Sequence, residues 1–304
     1  MCFKKGGIEV AKTRNKEIVE DKIFNIVNIS LLSLFTVIIF YPIWNIVVQS
    51  FSSLDSLAES GLRIWPKEFS FESYKLVFND STIWRAFIIS ILKTVLGVLT
   101  HVFFTAMVAY GMSKSNIFGR NIYTALGIGT LFFSGGMIPT YLLIRSLGLL
   151  DSFWVYIIPS LFSYYDMIIM MNFFREIPHS LEEAAKMDGA GVWKIFMRII
   201  LPLSMPVLAT IALFNGVFQW NDYMTAKLYI SSEALYPIQM KLYEIIVQQE
   251  AANMQNVTAS VVIPTTSQSV QLATIVIATI PIVMVYPFLQ KYFMSGIMIG
   301  AVKE

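Results

Sequence analysis

Four groups of polar residues in this 304-residue chain sit among apolar neighbours and have types and spacings that can do chemistry. Ser180 and Glu183 form an S-x-x-E pair, followed by Ala184, Ala185, Asp188 and Gly189. Tyr164, Tyr165 and Asp166 lie together, with Asn172 beyond them. Asn215, Gln219, Trp220, Asn221 and Asp222 form the third group, and Lys93 stands alone in an apolar run. Hydrogen-bonding groups beside aromatic planes suit neutral or mildly charged sugars, and Lys93 suits an acidic sugar. The same residues also serve as interhelical hydrogen-bond partners, and Lys93 can snorkel to a membrane surface. Asp166 in an apolar segment costs about 2.5 to 3.5 kcal/mol on insertion scales, so it is expected to face protein or water.

Other chemistry finds no support. The two histidines, His101 and His179, are too far apart in sequence to suggest a metal site by themselves. No G-x-x-x-x-G-K-[ST] occurs, so ATP binding through a P-loop is not expected, and no nucleophile, base and orienter assemble. Gly127 and Gly129 start a G-x-G that does not continue, which reads as helix packing. Asn256-Val257-Thr258 matches a glycosylation acceptor at chance frequency. The single cysteine, Cys2, excludes a disulfide framework within the chain, and the net charge of +2 is too small to argue for nucleic acid.

The elements that carry these groups follow from composition. The chain is 56% hydrophobic and only 14% charged, against about 25% charged in soluble domains, so much of its surface must face lipid. Six apolar segments are long enough to cross a bilayer core of about 30 Å: 23–51, 83–112, 122–144, 153–174, 196–225 and 270–293. Their runs are continuous, which favours helices over alternating barrel strands. The first begins only after a polar tail and is too long for a secretory signal core. Gly135, Gly136 and Pro139 are expected to break or bend the third span and free backbone groups to line a cavity.

Fourteen lysines and arginines fall in the tails and even-numbered connections, and seven in the odd-numbered ones, so both termini are expected in the cytoplasm. Two large segments, 52–82 and 226–269, are then external. In the second, Ile238, Leu242, Ile245 and Ile246 share one helical face, consistent with a lid helix or with a packed connector.

The segment around Glu183 lies in the cytoplasmic connection between the fourth and fifth spans. The Ser180 hydroxyl and Glu183 carboxylate are expected to form a capping box, with the helix starting at Leu181 and Pro178 separating it from the fourth span. Gly189 takes the left-handed cap, leaving about two turns. Helices this short are marginal alone, so a partner surface is required: small Ala184, Ala185 and Ala190 allow close approach and Glu182, Glu183, Lys186 and Asp188 supply polar docking. Pro202 removes one ladder bond and sets the short helix at an angle to the next span. An ordinary connecting loop is the alternative.

The order Glu183-Ala184-Ala185, Asp188-Gly189-Ala190, Ile199 and Leu201-Pro202 resembles the EAA loop of permease subunits of ABC importers, in its carbohydrate-uptake form. The segment Trp220 to Asp222, the "FLQKYF" run and the terminal "GAVKE" are similar to the end of maltose-type permeases. The "GGMIPTYLLIRSLGLLDS" stretch is similar to the Gram-positive branch that imports complex plant-wall oligosaccharides, and the resemblance covers nearly the whole chain. The 247–268 stretch departs from it by its length.

The resemblance implies an all-α polytopic membrane protein with six transmembrane helices and the ABC type I importer permease fold. Residues 1–22 and 295–304 are cytoplasmic tails and 23–82 the first helix with its external loop. Residues 83–294 are the permease core, with a coupling loop at 178–198 and an external loop at 226–269. It implies that Glu183, Ala184, Ala185, Asp188 and Gly189 seat in a cytoplasmic ATPase, whose ATP-driven closure switches the cavity between inward-open and outward-open. The chain itself is then no enzyme and binds no cofactor, with ATP and Mg used by the ATPase. The implied partners are a homologous permease, usually a different chain, two ATPase subunits, an extracellular solute-binding protein, an oligosaccharide and membrane lipid, in a bacterial cell membrane. An ATP-independent transporter or channel, suggested by Lys93 and Asp166, and an intramembrane enzyme are the competing classes.

Overall fold

The computed structural model describes residues 6–53, 56, 64–114, 117–259 and 265–301, with side chains for 21–251 of these, 268–285 and 287. Among them the regular structure is helical: α1 (Gly6–Ser50), α2 (Glu72–Asn79), α3 (Ser81–Ser113), α4 (Arg120–Phe132), α5 (Met137–Ser146), α6 (Tyr164–Glu176), α7 (His179–Met187), α8 (Val192–Leu203), α9 (Met205–Asn221), α10 (Met224–Tyr229), α11 (Ile238–Ala259) and α12 (Thr265–Ala301). Short 3₁₀ turns at Phe153–Tyr156 and Ile158–Ser160 precede α6.

Three of the six expected spans are single helices: Asp21–Ser50 of α1, α3, and Gln268–Val285 of α12. The other three are bent pairs. Helices α4 and α5 meet at 117°, the 3₁₀ segment and α6 at 49°, and α8 and α9 at 79°. The first bend falls at Gly135 and Gly136, as expected, with Gly136 at φ +86°.

The fifth span differs from the expectation of one run over 196–225. Its bend lies at Ser204, not Pro202. The chain takes a π turn over Phe196–Ile200, passes Pro202 inside α8, and restarts at Met205 with Pro206 in the first turn of α9. A proline lacks the N–H that only an interior helical position would use, so Pro206 is well placed at a new start.

The main core lies where α3, α6, α8 and α9 meet. Ala106 and Ala109 of α3 pack against Met167, Met170 and Phe174 of α6, with Ile195, Phe196 and Ile200 of α8 and Val207 and Ile211 of α9. In lipid the alternative to burial is another apolar solvent, so close packing by small residues holds these helices together more than water exclusion does. A second cluster joins α2, α3, α9 and α12 through Tyr74, Ile83, Trp220 and Ala278. A third joins α5, the 3₁₀ turns, α10 and α11 through Ile144, Tyr156, Ala226 and Met240. The expected helix after Pro237 is α11, with Ile238 and Met240 buried and Leu242, Ile245 and Ile246 half-buried.

Candidate functional site

Helix α7 is the exposed feature at one end of the core. It follows α6 after Ile177 and Pro178, whose extended backbone separates the two helices. The capping box is absent: α7 starts at His179 with Pro178 as cap, so Ser180 lies within its first turn and no side chain caps it. Proline supplies the extended cap geometry itself, and the helix gains one residue before Ser180. The stop is as expected. Gly189 has φ +76°, its N–H donates to the Lys186 carbonyl at 2.9 Å, and the Ala190 N–H reaches the Ala185 carbonyl at 2.9 Å. These are the two bonds of a Schellman motif, which needs a residue tolerant of the left-handed region.

The two faces of α7 differ. Glu182 is buried, and both of its carboxylate oxygens accept hydrogen bonds from Lys114 Nζ at the end of α3. That ammonium also lies 4.1 Å from the Tyr110 ring centre. On the other side Glu183, Ala184, Asp188 and Gly189 are exposed, Ala185 is half-buried, and Met187 is 89% exposed. Sequence reasoning placed Glu182 among the docking charges and gave Lys114 no role. The available signal was that both fall on the same expected side of the membrane.

The polar residues between the helices form a column that follows one face of α3, where Lys93, Gly97 and His101 recur every fourth residue. Lys93 is fully buried and does not snorkel. It donates to the Asp222 carbonyl at 2.8 Å and the Asp222 carboxylate at 3.2 Å, and its ammonium lies 4.7 Å from the Tyr156 ring centre. One turn on, Gln219 donates to the Tyr156 carbonyl at 3.2 Å and to Ser160 Oγ at 2.8 Å. It lies directly over Gly97, where a Cβ would come within 2.9 Å of its amide nitrogen. A further turn on, His101 Nδ1 is 2.7 Å from the Ser160 carbonyl and Nε2 is 3.0 Å from Asp166 Oδ2. The column thus supplies donors to carbonyls that the broken start of the fourth span leaves without regular helical partners.

Several expected sugar contacts are therefore occupied by the protein. Asp166 faces protein, as expected, but its partner is His101. Tyr164 is a packing residue: its hydroxyl donates to the Thr124 carbonyl at 3.1 Å, and a Cβ on Gly127 would overlap its ring at 1.9 Å. Gly127 is thus the packing glycine that its sequence context indicates. Trp220 is buried, with Nε1 donating to the Ala278 carbonyl at 2.9 Å. Asp222 is spent on Lys93 and on the Thr225 N–H at 3.1 Å. Tyr165, 62% exposed, Asn172 and Asn221 remain open, and Asn215 is half-buried. Asn221 Nδ2 donates back to the Val217 carbonyl at 2.9 Å. Among the described residues no hydrogen bond or ring contact joins the side chains of these four to those of the buried members. Among the described residues no group of three His, Cys, Asp or Glu can hold a metal. The side chains of Asn256 to Thr258, of the 288–293 run and of residue 2 lie outside the described set, as do residues 302–304.

With three single helices and three bent pairs as candidate spans, and α7 exposed at one end of their core, residues 7–299 match the family of binding-protein-dependent transport system inner membrane components. The chain belongs to this family. It is a transport permease subunit and not an enzyme. Among its relatives, the Bacillus subtilis (strain 168) polygalacturonan/rhamnogalacturonan transport system permease protein YtcP is 38% identical to the permease, over 93% of this chain and 99% of its own length. Protein LplC of the same strain is 43% identical, over 93% and 95%. The permease also superposes on a chain from a bacterial ABC transporter involved in the import of the acidic polysaccharide alginate. That match has a TM-score of 0.82 and 35% identity, over 90% of this chain and 98% of the other.

Proposed function

We propose that this permease forms half of the translocation pathway of an ATP-driven importer for acidic plant-wall oligosaccharides and takes its driving motion through α7. The observation that carries the coupling is the two-sided construction of that helix. Glu182 anchors one face to Lys114, while Glu183, Ala184, Asp188 and Met187 stand free on the other. A helix of nine residues ended by a Schellman glycine is a rigid knob, and its free face combines small residues, carboxylates and one protruding methionine. That surface suits a cleft in a cytoplasmic ATPase.

On this reading α7 and both termini are cytoplasmic, in agreement with the distribution of lysine and arginine, and residues 52–82 and 226–269 are external. A homologous permease, two ATPase subunits that use ATP and Mg, and an external solute-binding protein complete the complex in a bacterial cell membrane. Acidic sugars are favoured because the proteins named above include a polygalacturonan/rhamnogalacturonan permease and a chain of a transporter that imports the acidic polysaccharide alginate. The ATP-independent transporter or channel loses its motive, since Lys93 and Asp166 are both paired within the protein.

Copurification and uptake test both parts. Glu183→Lys or Gly189→Pro is expected to abolish ATPase association while the permease still inserts; association and transport that survive both changes would sink the coupling role. The complete complex is expected to take up uronic oligosaccharides in preference to neutral ones, and ATPase stimulation by a non-sugar alone would sink the substrate class.

A further inference from the structure

Two polar ties join α3 to the consecutive helices α6 and α7, which only Ile177 and Pro178 separate. The first is Lys114 to Glu182, where α3 ends against α7. The second is His101 to Asp166, in the first turn of α6. Along α3 the two anchor residues are thirteen positions apart, roughly 20 Å at the rise of a helix. Between them lies close packing of Ala106, Ala109 and Tyr110 against Met167, Met170 and Phe174. Beyond the upper tie the backbone is irregular, in the 3₁₀ turns over Phe153–Ser160 and the 49° bend into α6.

The proton count of the upper tie is set by geometry. The Ser160 carbonyl can only accept, so His101 Nδ1 carries a hydrogen. Nε2 and Asp166 Oδ2, 3.0 Å apart, then share one further proton, because two lone pairs would repel at that distance. The pair is neutral overall whichever atom holds the proton, so it joins the helices without placing a net charge in the bilayer.

We propose that His101 and Asp166 are positioning residues that make α3, α6 and α7 move as one lever, so that displacement of α7 reaches the bend at Ser160 and not merely the near end of α6. The proposal rests on α7 being the coupling helix. Without the upper tie α7 stays anchored through Lys114, but α6 is free to shift along α3, and ATP hydrolysis no longer reorients the outer half of the fourth span. Asp166 touches no sugar in this scheme.

The test uses the complete complex in proteoliposomes, with sugar uptake and ATP hydrolysis measured together. Asp166→Leu removes the acceptor and is expected to lower sugar transported per ATP at least about fivefold, with the KM for sugar within about twofold of the parent. Asp166→Asn keeps the tie, because its amide N–H donates to Nε2 of a neutral imidazole, and is expected to keep coupling within about twofold of the parent. A normal transport-to-ATP ratio in Asp166→Leu overturns the proposal, as does an Asp166→Asn defect equal to that of Asp166→Leu. In case Asp166→Leu fails to assemble, spin labels at Leu99 and Glu176, in a Cys2→Ser background, test the otherwise unaltered lever. Their separation is expected to stay constant between nucleotide-free and ATP-bound states, and a change of more than about 3 Å overturns the proposal. Failure of the coupling-helix reading has a different signature: Glu183→Lys complexes that still bind the ATPase and transport.

Discussion

Helix α7 and the polar column along α3 are made from the same kinds of residue: carboxylates, lysines, and a glycine that permits an otherwise blocked geometry. They use them in opposite ways. In α7 most of the charge stays outside, with Glu183 and Asp188 exposed and only Glu182 turned inward. In the column every ionisable group finds a partner inside the protein, Lys93 with Asp222 and His101 with Asp166. The difference follows from the medium. Water solvates a free carboxylate at the α7 surface, whereas an unpaired charge between spans is costly enough to be paired or lost. An intramembrane charge is thus evidence of a partner before it is evidence of a ligand.

The comparison breaks most visibly at Lys93. Lys93→Ala leaves the partly buried Asp222 carboxylate without its ammonium and is expected to cost about 3 to 5 kcal/mol in an SDS-titration measurement of stability. Adding Asp222→Ala should recover a large part of that loss; if the double variant is no better than the single, the pair is not the source. Gly127→Ala comes next. Its new methyl would overlap the Tyr164 ring, and an overpacking cost of about 1 to 3 kcal/mol is expected in the same assay. Tyr164→Ala in that background should relieve the overlap, which sharpens the assignment of Tyr164 to packing and not to sugar.

A smaller effect is expected at Trp220. Trp220→Phe keeps the aromatic contact with Phe87 but removes the hydrogen bond to the Ala278 carbonyl, worth about 1 kcal/mol. Uptake should keep its parental KM, because the indole lies buried against α12; a raised KM would return Trp220 to the sugar path.

The smallest effect concerns the charges at the far end of the molecule, where Lys241 bridges Glu233 and Glu244 at 2.9 Å each. The hydrogen bond from Lys241 and its charge hold Glu233 below its ordinary value of 4.5. Burial pulls the Lys241 ammonium down, but hydrogen bonds to Glu233 and Glu244 and their charges raise it above 10.5 on balance. A carboxylate held low contributes above its ordinary value and is lost as the pH falls through the lowered one. An ammonium held high contributes below 10.5 and is lost as the pH rises through the raised value. Hydrogen-exchange protection around 233–246 is therefore expected to be level between these limits and to weaken slightly outside them. Salt should reduce the change further, since Glu233 is mostly exposed. Protection that varied strongly near neutral pH would contradict this account.

Much of the architecture could be read directly from residue order. Continuous apolar runs marked six candidate spans, which the structure builds as three single helices and three bent pairs, since lipid forces backbone groups to pair within each segment. Gly135 and Gly136 marked the break in the third span. Gly189 marked the left-handed stop of a short helix, because that property depends on a few adjacent residues and their backbone energies, although the capping box taken as its start is absent. Family resemblance gave that helix its expected role, which no local energy could supply.

What escaped was the partner of each polar side chain. Lys93 and Asp222 are 129 positions apart, and His101 and Asp166 are 65 apart. Nothing local shows that one helix face will collect them, although the four-residue spacing of Lys93, Gly97 and His101 was a usable hint. The capping box was misread for a related reason: Ser180 and Glu183 have the right spacing, but Pro178 had already set where the helix begins. The bend at Ser204 likewise depended on how α8 packs into the core, and so Pro202 could remain inside a helix. Sequence by itself determined which segments are apolar enough to cross a membrane and where the short exposed helix must end. Only the tertiary structure decided which charges remain available, because long-range packing and the scarcity of water between the spans select each charge's partner.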